Sequence, residues 1–282
     1  MIGVLTDSSC NLPREIIEEL GIEIVPLYVQ IGTETYEEFD ITTTELCRKM
    51  REGILPQTSQ PPPGKFEEIF KKMAKQFKSI IAILITSKHS GTYNSAQVAR
   101  AMLPELDIEV VDSLSIATGT GFLAEAAARA ARKGKAKDEI LSLIHWLRDR
   151  INIVATVSTL KYLHASGRVG AIKTMMASLL DVKPILSMKE GEVVVIGQTR
   201  TRSRSLEQIV SHTVKVAERL GKVDLSVLHA DCHEEALMLK EELSKKVRPN
   251  RIFLAEITSV IAVHGGPGLI GVVYSPAITT LV

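Results

Sequence analysis

SIIAILITSKHSGTYNSA, residues 79–96, is the stretch whose reading sets the fold class. Residues 80–85 form an apolar, β-branched run without helical spacing, the pattern of a strand buried on both faces. Residues 86–92 then carry hydroxyls and a glycine, and residues 94–99 resume as a helix. A parallel strand handing over to a helix presents free backbone N–H groups and the positive end of a helix dipole to an anion. The crevice at the carboxyl ends of such a sheet is the default ligand position. Ser90 reads there as an ordinary helix cap or as one member of an anion site.

Upstream, residues 2–5 read as a second short strand, ending in Thr6-Asp7-Ser8-Ser9. Asp7 suits an Asx-type turn, or an orienting contact to a hydroxyl or a loop N–H. Pro13 opens a helix and Gly21 closes it. Residues 22–31 read as the next strand, with Pro26 marking an edge or a bulge. Thr42 and Glu45 have capping-box spacing ahead of a helix that Gly53 ends. Thr58 and Ser59 precede Pro61-Pro62-Pro63, a stiff connector that holds both hydroxyls in one pose before a helix over 66–77. Residues 108–111 form a strand ending in Asp112-Ser113, and helices follow over 117–132 and 138–150. Gly119 and Gly121 make a GxG, but one buried in an alanine-rich run is a weak nucleotide signal.

Residues 153–157 open a new group of strands, which places domains at 1–155 and 156–282. The expected architecture is α/β: an N-terminal Rossmann-like parallel sheet and a C-terminal mixed-sheet α/β domain. A short helix over 160–163, a flexible basic turn over 166–170 and an apolar segment over 172–180 come first. Residues 184–187 and 193–197 flank Lys189-Glu190-Gly191-Glu192, a hairpin signal. Arg200, Arg202 and Arg204 alternate, as a solvated basic face or as a docking patch for an acidic partner. A helix over 206–220 and a strand over 225–229 lead to Ala230-Asp231-Cys232-His233-Glu234. Asp, Cys and His crowd together there, but no second ligand pair lies at a fixed helical spacing, so no metal is expected. Residues 252–255 read as the last major strand, and residues 264–271 as a loop of glycines around one imidazole, His264.

The bulk properties narrow the function. Of 282 residues, 45% are hydrophobic and only 4% aromatic, so the core is aliphatic. A net charge of +1 argues against a broad nucleic-acid footprint. Three scattered cysteines without a CxxC suit a reduced, cytoplasmic chain. Asp7 arrives too early for a signal peptide, and no apolar run approaches a membrane span.

Seven motifs in order then carry a resemblance. Thr6-Asp7-Ser8, Thr58-Ser59-Gln60-Pro61, Ser90-Gly91-Thr92-Tyr93, Gly167-Arg168, Lys183-Pro184, His229-Ala230-Asp231 and His264-Gly265-Gly266-Pro267-Gly268 occur as they do in DegV-family proteins, over nearly the whole chain. The resemblance implies the two-domain EDD fold with a long-chain fatty acid, such as palmitate, between or beside the domains. It implies a lipid-binding carrier rather than an enzyme, of the FakB type, which presents the acyl carboxylate to a separate fatty acid kinase and so serves phospholipid metabolism. Carried over by motif, Thr58, Ser90 and His264 would hydrogen-bond the carboxylate. Ser59, Gly91 and Thr92 would line the same pocket, and Arg168 and Arg200 would lie on the kinase-docking face. No catalytic residue, metal, cofactor, nucleic-acid partner or stable membrane insertion is implied. Members often carry a more basic, double-glycine turn where this chain has His164-Ala165-Ser166-Gly167-Arg168.

The chemistry fits a lipid. About 14 methylenes at ~0.8 kcal/mol each give roughly 11 kcal/mol of gross transfer free energy, much of it offset by ordering the ligand and tunnel. The head group then needs only directional neutral donors, which Ser, Thr and His provide. A basic pair would hold the carboxylate too firmly for phosphorylation in place. Two rivals use the same residues. One is a serine hydrolase with Ser90 as nucleophile, His264 as base and Asp7 or Asp112 as orienter, although the G-x-S-x-G elbow is missing. The other resembles the substrate-binding subunit of dihydroxyacetone kinases, which would show a small polar cavity.

Overall fold

The apolar runs become strands and the alanine-rich and amphipathic runs become helices that cover them. The protein is described by a computed structural model over residues 1–168 and 182–281. The apolar 172–180 segment, read from sequence as a place where a tunnel could end, lies outside the described residues, as do Val169 and Gly170 of the basic turn.

The first half runs β1 (Ile2–Asp7), α1 (Arg14–Leu20), β2 (Glu23–Val25), β3 (Tyr28–Ile31), β4 (Glu34–Glu37), α2 (Thr43–Arg51), β5 (Gln57–Ser59), α3 (Pro63–Ala74), β6 (Ser79–Leu84), α4 (Thr92–Ala101), β7 (Asp107–Asp112), α5 (Thr118–Arg132) and α6 (Lys137–Arg148). Strands β2-β1-β6-β7 form a parallel sheet, with residues 80–84 buried as their continuous apolar pattern requires. Strands β4-β3-β5 form a small antiparallel sheet beside it.

The second half runs β8 (Asn152–Thr156), α7 (Lys161–Ala165), β9 (Lys183–Lys189), β10 (Glu192–Thr199), α8 (Arg202–Leu220), β11 (Val223–His229), α9 (His233–Val247), β12 (Arg251–Glu256), α10 (Ser259–Gly265), β13 (Ile270–Pro276) and α11 (Ile278–Leu281). Its six-stranded mixed sheet has the order β10-β9-β8-β13-β11-β12. The architecture is therefore two α/β units, one around a parallel sheet and one around a mixed sheet.

Helix α5 joins the two. It packs on β1 and β6 of the parallel sheet and on β13 of the mixed one. Alanines and glycines make that double contact possible. A Cβ on Gly119 would sit 2.1 Å from the Ser115 hydroxyl, and one on Gly121 2.4 Å from the Cys10 carbonyl. The GxG is thus a close-packing device. On the same helix Glu125, with no exposed side-chain surface, receives Arg251 of β12 through both oxygens and Arg129 Nε at 2.8 Å. Arg251 also pairs with Asp224 at 2.9 Å. Removing one member of a buried charge network leaves the others uncompensated. Glu125→Ala is therefore expected to lower the unfolding free energy by about 3–5 kcal/mol, measurable by urea denaturation.

Four local expectations are corrected. Residues 22–31 are not one strand: β2 and β3 join different sheets, because Pro26 has no N–H to continue a ladder. Thr58 and Ser59 do not lie in a bare connector but in β5, where Thr58 pairs with Val29. Residues 264–271 are not simply a loop. His264 belongs to the last turn of α10, and Ile270 starts β13, a fully buried inner strand of the mixed sheet. The helix read over 206–220 starts earlier, at Arg202, since the Thr201 hydroxyl caps α8 and both Arg202 and Arg204 lie in its first turn.

Candidate functional site

A cavity of about 940 Å³, its mouth included, opens between the two sheets. Its walls are aliphatic for the most part, with Ile85, Ile116, Ile153, Val157, Leu186 and Val260 among them. Thr58, Ser59, Gln60, His89, Ser90, Arg168 and His264 supply most of the polar lining.

Each polar group is placed by its element. Thr58 is held by the β5–β3 ladder, and its Oγ1 lies 3.0 Å from His264 Nε2. His264 is carried in from the second half by α10, and Gly266 lets the chain leave that helix. Gly266 has φ +76, and a Cβ there would meet the Tyr162 ring at 2.0 Å. Ser90 sits in the turn after β6; its Oγ accepts from Thr92 N at 3.3 Å and lies 2.8 Å from Thr92 Oγ1. Ser90 thus braces the start of α4, whose N-cap position is Gly91, and also lines the cavity. Gly91 and Thr92 stand behind this lining. A Cβ on Gly91 would press on the Gln60 amide at 2.9 Å, and Thr92 is fully buried.

The resemblance assigns Arg168 to a kinase-docking face. In the structure it lines the cavity, half-buried, with Nη1 donating to the Ser166 carbonyl at 2.6 Å and Nε to the His89 carbonyl at 3.4 Å. Arg200 is exposed and stands outside the cavity. Sequence reasoning missed Gln60 and His89 as lining residues, although each neighbours a hydroxyl it singled out.

The electrostatics keep the imidazoles neutral. Burial pushes His264 down to about 3, helped by the nearby charge of Arg168. Burial also lowers His89. His89 Nε2 accepts from Val193 N at 3.0 Å, which assigns its proton to Nδ1. His264 Nδ1 is buried without a hydrogen-bond partner among the described residues.

The acids are engaged elsewhere. Asp7 accepts from Ser9 N–H, the Ser9 hydroxyl and, at 2.6 Å, Ile85 N–H, while burial raises its pKa. Asp112 accepts from Ser87 and Leu114 N–H groups. A nucleophile–base–acid relay needs Ser90, His264 and a carboxylate in contact. The hydrogen bonds instead join Ser90 to Thr92 and His264 to Thr58. Among the described residues no three His, Cys, Asp or Glu side chains meet as a metal site requires. No described helix is long and apolar enough to cross a membrane.

Comparison with known proteins follows this geometry. The model of the DegV family, described as uncharacterised proteins, matches residues 1–277. This chain belongs to the DegV family. The DegV domain-containing protein TTE1491 of Caldanaerobacter subterraneus is 33% identical over 274 residues, covering 97% of this DegV-family chain and 98% of the relative. Protein DegV of Bacillus subtilis is 30% identical over 274 residues, covering 96% and 98%. Among solved structures, a DegV-family protein from Thermus thermophilus described by its fatty acid binding superposes with a TM-score of 0.93 at 30% identity, over 98% of this chain and 99% of that one. A stearic acid-binding protein from Eubacterium ventriosum gives 0.88 at 28% identity, over 99% and 100%.

Proposed function

We propose that this DegV-family chain is a carrier for one long-chain fatty acid, with the tail in the aliphatic cavity and the carboxylate at Thr58, Ser90 and His264. One observation carries the reading: a largely aliphatic cavity whose polar lining includes the Thr58–His264 pair, contributed by opposite halves of the chain. The fatty-acid-binding relatives of the same fold support it. The first half, through α6, supplies Thr58 and Ser90, and the second half, which begins at β8 rather than at residue 156, supplies His264 and much of the tail wall.

The neutral imidazole suits this task. It can donate one hydrogen bond to a carboxylate without neutralising it, so an acyl oxygen keeps its charge and its nucleophilicity. Arg168 in the cavity wall adds one cation within the same enclosure. The carrier would then present the carboxylate to a separate fatty acid kinase for acyl-phosphate formation, with exposed Arg200 on the docking face. No catalytic residue of its own enters this reading.

Mass spectrometry of the organic extract of purified protein tests the core claim. Palmitate or another long-chain fatty acid at near-equimolar amount is the expected result. An empty extract, or a small carbonyl compound attached to a histidine, would overturn the reading. Thr58→Ala is expected to weaken fatty-acid binding by about 0.5–3 kcal/mol, the usual effect of deleting one hydrogen-bond partner in a buried site. Displacement of a fluorescent fatty acid measures it.

A further inference from the structure

Glu38 lies outside the cavity lining, yet it is buried, 4% exposed. Among the described residues no lysine or arginine is a hydrogen-bond partner of it. A carboxylate is kept in such a place only where donors hold it. Here the Ser8 hydroxyl donates to Oε2, and the Val260 N–H donates to Oε1 at 2.9 Å. Val260 is the second residue of α10, so its N–H is one of those a helix cannot pair internally. Glu38, from the first half of the chain, thus caps the helix that carries His264.

The contact belongs to a clamp. Asn11 donates to the Glu256 carbonyl at 2.9 Å and accepts from Thr258 N–H at 3.1 Å. The Thr43 hydroxyl donates to the Ile257 carbonyl at 2.6 Å. The Ser259 hydroxyl donates to the Ile41 carbonyl at 2.8 Å. Each residue from 256 to 260 is therefore tied to the N-terminal half by a hydrogen bond. Helix α10 has only 7 residues, too few to be stable by helix propensity alone. Packing on α2, α7, β3 and β5 and the grip on its first turn together set its direction, and His264 sits four residues after Val260, about one turn on.

We propose that Glu38 is a positioning residue: by fixing the first turn of α10 it aims the His264 imidazole at Thr58 and at the ligand head group. This rests on the reading of His264 as a carboxylate ligand. Glu38 does not touch the ligand; it acts through the helix.

A double-mutant cycle tests it, with cis-parinaric acid as the fluorescent probe and palmitate as competitor. Glu38→Ala is expected to weaken palmitate at least fivefold. In a His264→Ala background the same change should add less than twofold, because the group through which Glu38 acts is gone. Glu38→Gln keeps an acceptor for Val260 N–H and should stay within twofold of the wild type. Full additivity in the cycle would overturn the proposal. A second arm needs no ligand. In the apo protein the His264 ring ¹⁵N resonances should shift in Glu38→Ala and in Glu38→Asp, which withdraws the carboxylate by one methylene, and hold in Glu38→Gln. Unshifted resonances in a folded Glu38→Asp protein would also overturn it, and this variant serves if Glu38→Ala does not fold. Should His264→Ala leave palmitate affinity unchanged, the head-group reading falls, and the ring resonances still decide whether Glu38 aims the imidazole.

Discussion

Ala155→Phe is expected to weaken palmitate binding by roughly 100- to 1,000-fold while the chain stays folded. Ala155 lies on β8, paired with Leu186 on one side and Gly271 on the other, and lines the cavity. Gly271 has no side chain, so a ring at 155 can lie along the cavity floor rather than being forced back into the sheet. It would occupy the place of about four methylenes of tail. At ~0.8 kcal/mol each, that removes roughly 3 kcal/mol of burial, and misfit of the displaced tail adds to the loss. Overfilling a packed site costs about 1–3 kcal/mol. Here the ring enters space that is open in the ligand-free chain, so the melting temperature of apo protein should change little. Fluorescent fatty-acid displacement and thermal melting, run together, separate the two effects. Unchanged affinity would place the tail away from β8.

The same contrast explains what the sequence disclosed. Strand β6 was legible because a β-branched run buried on both faces has one reading, and the hydroxyl-rich turn after it marks a strand end at once. The seven ordered motifs imply one pocket for Thr58, Ser90 and His264, and the structure gathers them around one cavity. Strand β5 was not legible. Gln57-Thr58-Ser59 has no hydrophobic pattern and becomes a strand only through its ladder with β3. Strand β13 shows the same kind of apolar run as β6, but the glycines before it drew the reading towards a loop. Arg168 could not be placed, because a long side chain turns outward or inward according to packing that lies far away in sequence. Glu38 inverts the usual rule. In Glu37-Glu38-Phe39-Asp40 the phenylalanine is 68% exposed and the middle acid is buried. An acidic run reads as a solvated turn, and only the chain folding across to residues 256–260 gives that one carboxylate a purpose.

That carboxylate and the imidazole it is proposed to aim should oppose each other as pH falls. Burial takes His264 from 6.5 to about 3. Between those values the unfolded chain binds a proton there and the folded chain does not. The stability His264 contributes is therefore present above pH 6.5 and lost as pH falls towards 3, by about 1.4 kcal/mol per pH unit. Burial takes Glu38 the other way, from 4.5 to about 7. Its folded form holds a proton that the unfolded chain has released, so its contribution is complete below pH 4.5 and lost as pH rises through 7. Between pH 4.5 and 6.5 the two slopes cancel. His264→Gln removes one of them. Relative to the wild type, its unfolding free energy should rise by about 1.4 kcal/mol for each unit of acidification across that window, read by urea denaturation at three pH values. Glu38→Gln should show the opposite trend. Asp7 and His89 are present in all three chains and enter the differences only through their coupling to Glu38 and to His264. A His264→Gln profile parallel to the wild type would mean that the imidazole is not held neutral. The head-group site would then meet a carboxylate with a cation at that position, and the argument for a carrier that leaves the acyl oxygen free to react would lose its chemical basis.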